Sequence, residues 1–492
     1  LSVRWQSAAL ALALFVSFAL ISTRIFERPP DGDEALVAVP AWNLAQHGYA
    51  GTTVITLQTL PWKGINRRTY NTLPGGFLYL APWLTVFPAS IVVTRLAFLL
   101  WSLVLLASYF QFLRRLTASR TQATLAVILF SLHFSFILAA SQSRVDVMAA
   151  ALGMASLASY VELRLRNLNL AVLAASALAV AACLTHPQGV LYAVCLVILA
   201  LHLDRRSFSP VHYALAAVPV AVCGGAWLWY VAQDSTAAVS QLILDSHGRQ
   251  ARFPRSFNPW RALQREIFQR YLNAASSGTR ICKLILLLIT FGSAAVIIFT
   301  EPLKQQPGVR LLLFLSAVIL TLETFLENSK EHPYLIHAEL FYSALIAVCV
   351  LYFWGGGRRR RSLAVLTVAT YIAISVGGVA FSLRADSNEL SESGFRSAVE
   401  FLQTHVTPRD LVSADKNFWF DCCGAAHNLV DDPSLGVTTG LTPEYFVTSR
   451  VRVINWERYN KQDPELLRAI RQRAAQFQLV YNYAGYQIYR RR

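Results

Sequence analysis

Long apolar runs leave few folds open to this 492-residue chain. A helix needs about 20 apolar residues to cross a bilayer core. Stretches of that order recur at residues 6–25, 91–113, 121–140, 147–163, 169–185, 188–203, 211–232, 282–300, 310–326, 335–354 and 362–383. Only 15% of the residues are charged and 55% are hydrophobic, whereas soluble domains average about 25% charged. The chain therefore reads as an α-helical polytopic membrane protein with about eleven transmembrane helices. No convincing small-residue cleavage site follows the first run, so it is expected to remain as a helix. Residues 73–88 are also apolar, but Pro74, Gly75, Gly76, Pro82 and Pro88 interrupt them, which predicts an interfacial or re-entrant helix.

Orientation follows from the basic residues of the short loops, which gather on the cytoplasmic side. Starting inside at Arg4, alternate loops carry Arg114, Arg115 and Arg120, then Arg164 and Arg166, then Arg205 and Arg206, then Lys304 and Arg310, then Arg358 to Arg361. A full span at 73–88 would invert every later loop, and the charge pattern decides against it. Much of the net charge of +16 lies in these loops, so topology explains it and a nucleic-acid partner is excluded. Cys183, Cys195, Cys223, Cys282 and Cys349 lie in or beside apolar runs, where small buried thiols are ordinary. Cys422 and Cys423 are adjacent in polar surroundings, and no metal-binding cysteine spacing is present.

This topology sends a first long loop outward (27–90), followed later by a second (233–281) and the tail from Arg384. Arg95, Arg144, Asp146, Glu323, Lys330 and Glu339 all fall near the outward ends of their helices. Charges in lipid cost several kcal/mol each, roughly by the insertion scale, so one layer of them predicts a cavity open to the outer side. The first outer loop opens with Asp31, Asp33 and Glu34. Behind them, residues 34–44 carry an apolar face of Leu36, Val37, Pro40, Ala41 and Leu44. That pattern predicts a short interfacial helix with its acids turned into a cleft. In the second loop Arg249, Arg252, Arg255, Arg261, Arg265 and Arg270 alternate with Phe253, Phe257, Trp260 and Phe268, a composition suited to a flap on anionic membrane lipids or a lipid carrier.

Residues 385–492 form a separate, polar segment near the usual domain size. Phe395, Val399 and Leu402 recur at helical spacing, while 410–415, 451–455 and 479–483 read as strands. Asp463-Pro464-Glu465 opens a helix with an N-cap and a first-turn proline. A small extracytoplasmic α/β domain is expected, without a phosphate-binding glycine loop or a nucleophile motif.

Several short motifs now resemble one family in both content and order. They are Asp33-Glu34 followed by Asn43-Leu-Ala-Gln-His-Gly, Asn71-Thr-Leu-Pro-Gly-Gly-Phe-Leu-Tyr, Thr94-Arg-Leu-Ala-Phe, Ser143-Arg-Val-Asp-Val, Leu184-Thr-His-Pro-Gln-Gly and Ser329-Lys-Glu-His-Pro-Tyr. Across most of residues 1–355 the chain resembles the glycosyltransferase C superfold, in its branch of bacterial protein O-mannosyltransferase and lipid A aminoarabinose transferase relatives. His186 stands where that family usually has lysine, and Asn71 where it often has a charged residue or histidine.

The resemblance implies transfer of a sugar from a polyprenyl-phosphate carrier to a lipid, glycan or protein hydroxyl, at the outer face of a bacterial plasma membrane. A carboxylate within reach of the acceptor hydroxyl serves as general base. Asp33 is expected in that role, with Asp146 orienting the acceptor or stabilising charge on the sugar ring. Glu34 would hold the interfacial helix or a metal. Arg95, Lys330, His332, Tyr334 and His186 are expected around the donor phosphate and carrier, arginine and lysine being its usual partners. The motifs fix no cofactor, and a divalent metal is the candidate. Glu34 and His247 form the one candidate divalent-metal pair, because carboxylate and imidazole both suit zinc.

Blander roles compete for several of these residues: a snorkelling Arg95, a helix-capping His186, packing for His332 and His337, and a solvated loop for His247. A secondary transporter or flippase is the competing function, but it would place charges near the midplane, often in two related halves. A non-catalytic scaffold acting through residues 390–492 is the third.

Overall fold

The computed structural model describes the chain except residues 1–2, 56–62, 251–257, 273–278, 326–331, 390–391, 423–427, 450–451, 454–455 and 458–462, and except the side chains of 3, 243–250, 332, 384–389, 392 and 421–422. Among the described residues, nine helices are long and apolar enough to cross a membrane, from Arg4–Glu27 to Arg358–Leu383. This is a multi-pass membrane protein. Two of the eleven expected spans take a different form. Residues 121–140 become Arg120–Leu132 and Phe134–Ala140, bent by 65°. The break falls at His133, whose Nδ1 accepts from the Ser135 backbone N–H at 3.3 Å and so caps the second helix in place of the helical ladder. The run at 188–203 forms Gly189–Asp204, at 16 residues shorter than the others. The interrupted segment at 73–88 forms Pro74–Val86, whose 13 residues extend only about 20 Å, too little for a bilayer core.

The chain divides into two compact units. The first comprises Leu1–Arg24, Phe98–Tyr230 and Arg249–Leu383. Its helices Val145–Leu163 and Leu335–Trp354 are buried along most of their apolar length, whereas Pro210–Ala232 is exposed along nearly all of its own. The buried pair forms the centre of this unit. Charged loop ends are tied together: Arg164 Nε lies 2.6 Å from Asp204, and Arg115 pairs with Glu162.

The second unit comprises Ile25–Ala97, Val231–Gly248 and Arg384–Arg492. It therefore joins the first long loop (27–90) and the start of the second (233–281) to the C-terminal segment. The expected interfacial helix runs from Gly32 to His47 and ends at Gly48, whose φ of 75° suits a left-handed cap. Its Val37, Pro40 and Ala41 are buried as the pattern predicts, but Ala38 and Val39 are buried as well. The helix thus packs on protein along several sides, including Pro74–Val86, and not on one apolar face alone.

The second loop holds more helix than expected, with Ser235–Gln250, Pro259–Arg265 and Glu266–Tyr271. Within the second unit, buried Gln241 fastens the first helix of that loop to the first outer loop. It accepts from the Tyr70 backbone N–H at 2.7 Å and donates to the Lys63 and Arg68 carbonyls at 3.0 and 2.9 Å.

The C-terminal segment opens with the helix Glu392–His405 and builds a five-stranded sheet. Its strands are β1 (Leu411–Ser413), β2 (Asn428–Val430), β3 (Tyr445–Thr448), β4 (Phe477–Tyr483) and β5 (Tyr486–Arg491), in the order β2-β1-β3-β5-β4. β1 pairs parallel with both neighbours, while β5 runs antiparallel to β3 and β4. β4 and β5 form a hairpin through Ala484 and Gly485, both at positive φ, as two-residue turns that match strand twist require. Of the expected strand at 451–455, residues 452 and 453 are helical and the rest lie outside the described residues; a strand lies earlier, at β3. Ser449 accepts from the Arg452 N–H at its hydroxyl and from the Val453 N–H at its carbonyl. The expected helix is found at Pro464–Ala474, capped by Asp463 on the Leu466 N–H at 3.0 Å. Its Ile470 packs with Leu435, Phe446 and Phe477 in the sheet core.

Candidate active site

The first acidic stretch lies in the second unit. Asp31 caps the helix, its carboxylate accepting from the Asp33 N–H at 3.1 Å, and Glu34 completes a capping box by accepting from the Asp31 N–H at 2.7 Å. Both Glu34 oxygens also meet fully buried Arg95, Oε1 from Nε and Oε2 from Nη2, each at 2.8 Å. Arg95 donates further to the carbonyls of Ile25 at 3.0 Å, Arg28 at 2.8 Å and Pro29 at 3.1 Å.

A guanidinium has five N–H donors, and these five bonds occupy them all. Arg95 is therefore neither a snorkelling anchor nor a phosphate ligand, as had been expected, but the clamp that fixes residues 25–34. Of the two roles expected of Glu34, these contacts supply the holding one. Asp33, next to it, is exposed. The C-terminal segment reaches the same turn through the short helical turn Lys416–Phe418. Asn417 donates to the Pro30 carbonyl at 3.3 Å, and the Lys416 side chain lies against Gly32, where a Cβ would fall 2.5 Å from Lys416 Cε. The Asp431 N–H bonds to the Val54 carbonyl at 2.7 Å, joining the edge beside β2 to the first outer loop.

The second acidic stretch lies in the first unit, at the outset of its two most buried helices. Asp146 is 1% exposed and His337 is fully buried. Asp146 Oδ2 accepts from Arg144 Nε at 2.9 Å, and Oδ1 faces His186 Nε2 at 3.7 Å. His186 does cap a helix end, as its blander role anticipated: it ends Leu168–Thr185, and its Nδ1 accepts from the Gln188 N–H at 3.2 Å. Its ring also lies tilted against Tyr334, 5.2 Å between centroids, and stacks near His337 at 6.5 Å. His337 Nδ1 meets the Tyr192 hydroxyl at 2.9 Å. Tyr192 reaches it across Gly153, where a Cβ would lie 2.2 Å from the tyrosine ring. Asp146, His186 and His337 each turn one ligand-type atom into a space where the three lie within 4.8 Å of one another.

Other charges expected in one outward layer, Glu323 and Glu339, are buried within this unit. Arg270, expected on the lipid flap, is fully buried, with Nε 3.0 Å from Glu266 and Nη1 2.9 Å from Glu323. Glu339 bonds Tyr371 and lies 3.8 Å from His133 Nε2. A cavity of about 30 Å³ beside them is lined by His133, Lys283, Tyr271, Tyr342, Glu339 and Tyr371 among others, and has room for a water or two. Lys330 and the side chains of His332, His247, Cys422 and Cys423 lie outside the described residues. Tyr192, Gln241 and Lys416 carry no motif signal, and His337 showed only as one of two histidines near Pro333.

The chain matches no family model and no curated sequence. Solved structures do resemble it. ArnT from Cupriavidus metallidurans, crystallised with undecaprenyl phosphate, superposes with a TM-score of 0.63 at 14% identity, over 99% of this chain and 98% of that one. The archaeal oligosaccharyltransferase AglB from Archaeoglobus fulgidus, in complex with an inhibitory peptide and a dolichol-phosphate, gives 0.57 at 11%, over 99% of this chain and 74% of that one. The oligosaccharyltransferase of the same organism in complex with zinc and sulfate gives 0.58 at 10%, over 98% and 73%. At such identities the likeness is one of fold. The chain has the glycosyltransferase C membrane fold of ArnT, with its helices and small C-terminal sheet domain.

Proposed function

We propose that this protein transfers a sugar from a polyprenyl-phosphate carrier to a hydroxyl acceptor at the outer face of a bacterial plasma membrane. The observation that carries the reading is an exposed carboxylate, Asp33, on a helix start that Arg95 and Glu34 lock in place. The shared fold supports it, since ArnT was solved with undecaprenyl phosphate and AglB with a dolichol-phosphate. The sidedness rests on the basic loops, all of one parity when 73–88 does not span.

Asp33 takes the proton of the acceptor hydroxyl, whose oxygen attacks the anomeric carbon. The bond from that carbon to the phosphate oxygen breaks, and polyprenyl phosphate leaves with the electron pair. One displacement inverts the anomeric centre and needs no enzyme nucleophile. Asp146 orients the acceptor or offsets positive charge on the sugar ring. Lys330, His332, Tyr334 and His186 surround the donor phosphate, a task for which Arg95 has no donor left. Asp146, His186 and His337 suit a divalent cation better than Glu34, whose oxygens Arg95 occupies; such a cation would offset phosphate charge. The acceptor is a lipid, glycan or protein.

The test incubates detergent-purified protein with a panel of polyprenyl-phosphate-linked sugars and a membrane extract as acceptor source. Release of free polyprenyl phosphate, with a product of opposite anomeric configuration by NMR, is the expected result. Donor accumulation in proteoliposomes without product would replace this reading with a transporter.

A further inference from the structure

The space enclosed by Asp146, His186 and His337 has a property that ordinary packing does not explain. Among the described residues, Asp146 Oδ1 and His337 Nε2 are buried and have no hydrogen-bond partner. Buried polar atoms are otherwise almost always satisfied. Here two of them, on side chains no more than 1% exposed, point at one another's neighbourhood beside a second imidazole.

We propose that Asp146, His186 and His337 form a divalent-cation site of the zinc type. The proposal deepens the glycosyltransferase reading in one respect, since the open coordination position would take an oxygen of the donor phosphate. The cation site itself does not depend on that reading. Two imidazoles and one carboxylate are a donor set that zinc takes while keeping a further position open. Ligand atoms on one tetrahedral zinc stand roughly 3.3 Å apart, given bonds of about 2.0–2.1 Å. The Asp146–His186 pair, at 3.7 Å, is nearly there, and the full set within 4.8 Å needs only side-chain adjustment.

The surrounding contacts assign different parts to the three ligands. Arg144 holds Asp146 through Oδ2 and leaves Oδ1 to face inward. Tyr192 meets His337 at Nδ1. When Nδ1–H donates to the tyrosine oxygen, Nε2 keeps its lone pair for the cation, the usual arrangement of a metal-bound histidine. His186 is set up less favourably. Its Nδ1 accepts the Gln188 N–H, which puts its proton on Nε2, towards Asp146. To ligate, it must release that backbone bond and carry its proton on Nδ1. His186 is therefore the weakest of the three ligands. Charge identifies the further partner: Arg144 already balances Asp146, so a dication leaves the centre positive and favours an anion such as a phosphate monoester or diester.

The experiment uses the full chain in detergent, freed of any affinity tag and stripped with chelator. Zinc binding is measured calorimetrically, and the d–d absorption of cobalt(II) reports coordination. Wild type should take up one equivalent, with a tetrahedral cobalt spectrum. Asp146→Asn and His337→Ala should each weaken binding more than about tenfold, and His186→Ala less. Tyr192→Phe, which keeps the ring over Gly153, should weaken it by about 10–100-fold, as loss of a ligand's supporting hydrogen bond does.

No uptake by wild type, or uptake that survives Asp146→Asn and His337→Ala, would overturn the site. So would loss confined to His247→Ala. For the phosphate, zinc should tighten binding of undecaprenyl phosphate in mixed micelles, and zinc-independent binding would overturn that part. Neither readout requires turnover, so a wrong donor or acceptor would not register as failure of the cation site.

Discussion

At the scale of single residues, Arg95 is worth more to the fold than to the chemistry. It is a fully buried guanidinium with one carboxylate and three backbone carbonyls around it. Removing one partner of such a pair leaves an uncompensated buried charge, at a cost of about 3–5 kcal/mol. Arg95→Ala should therefore lower the thermal unfolding midpoint clearly. Arg95→Lys should not restore it, because an ammonium cannot reproduce the planar fork. An unchanged midpoint would show that the clamp does not hold the first outer loop.

Asp431 offers a second residue-scale test. Burial pushes its carboxyl up to about 6, with Asp415 adding to the rise and Arg452 and Lys416 opposing it. A raised folded value means that the folded state holds the proton more tightly than the unfolded chain. Its contribution to stability is complete below the ordinary carboxyl range and is lost as pH rises through about 6. Hydrogen exchange at β2 should therefore quicken from pH 4 to 7, after correction for intrinsic rates. Asp431→Asn should flatten that dependence; an identical profile in the variant would rule Asp431 out as its source.

At the scale of elements, the loop at 233–281 has one arginine that departs from its sequence pattern. Its arginines and aromatics read as a lipid-facing flap, yet Arg270 turns inward to Glu266 and Glu323, and residues 235–250 form a helix. Spacing alone cannot reveal this, since the acid that buries Arg270 comes from a helix more than fifty residues away. Gln241 is a plainer case, an uncharged residue with no motif around it. Gln241→Ala would remove the bonds to the Lys63 and Arg68 carbonyls and the Tyr70 N–H. Loss of such buried bonds costs about 1–3 kcal/mol, so limited proteolysis should cut residues 49–72 faster in the variant. Equal cutting would show that other contacts hold the loop. The bend at His133 is equally hidden, because the apolar run passes through it unbroken and only a side-chain cap, on the second helix, marks the break.

At the scale of the whole molecule, the features legible in sequence are those with a physical period or a length threshold. Apolar runs matched to bilayer thickness locate the spanning helices. Pro74, Gly75 and Gly76 mark a segment too broken to span, and Asp463 with Pro464 marks a helix start. The first and second acidic motifs were both visible. Their partners were not: Arg95 was read as a phosphate ligand because its buried clamp depends on carbonyls supplied by residues 25–29. Tyr192 and His337 meet because Gly153 clears a path between helices far apart in sequence.

The chemistry assigned to this architecture reduces to one claim, that Asp33 is the base in transfer from a lipid-linked donor. The most direct measurement is the rate of polyprenyl phosphate release at saturating donor, wild type against Asp33→Asn, with donor affinity measured on the same samples. General-base catalysis contributes about 10²–10⁴-fold, so the variant should lose that much rate while binding donor as tightly as wild type. Equal rates in the two proteins would contradict the assignment.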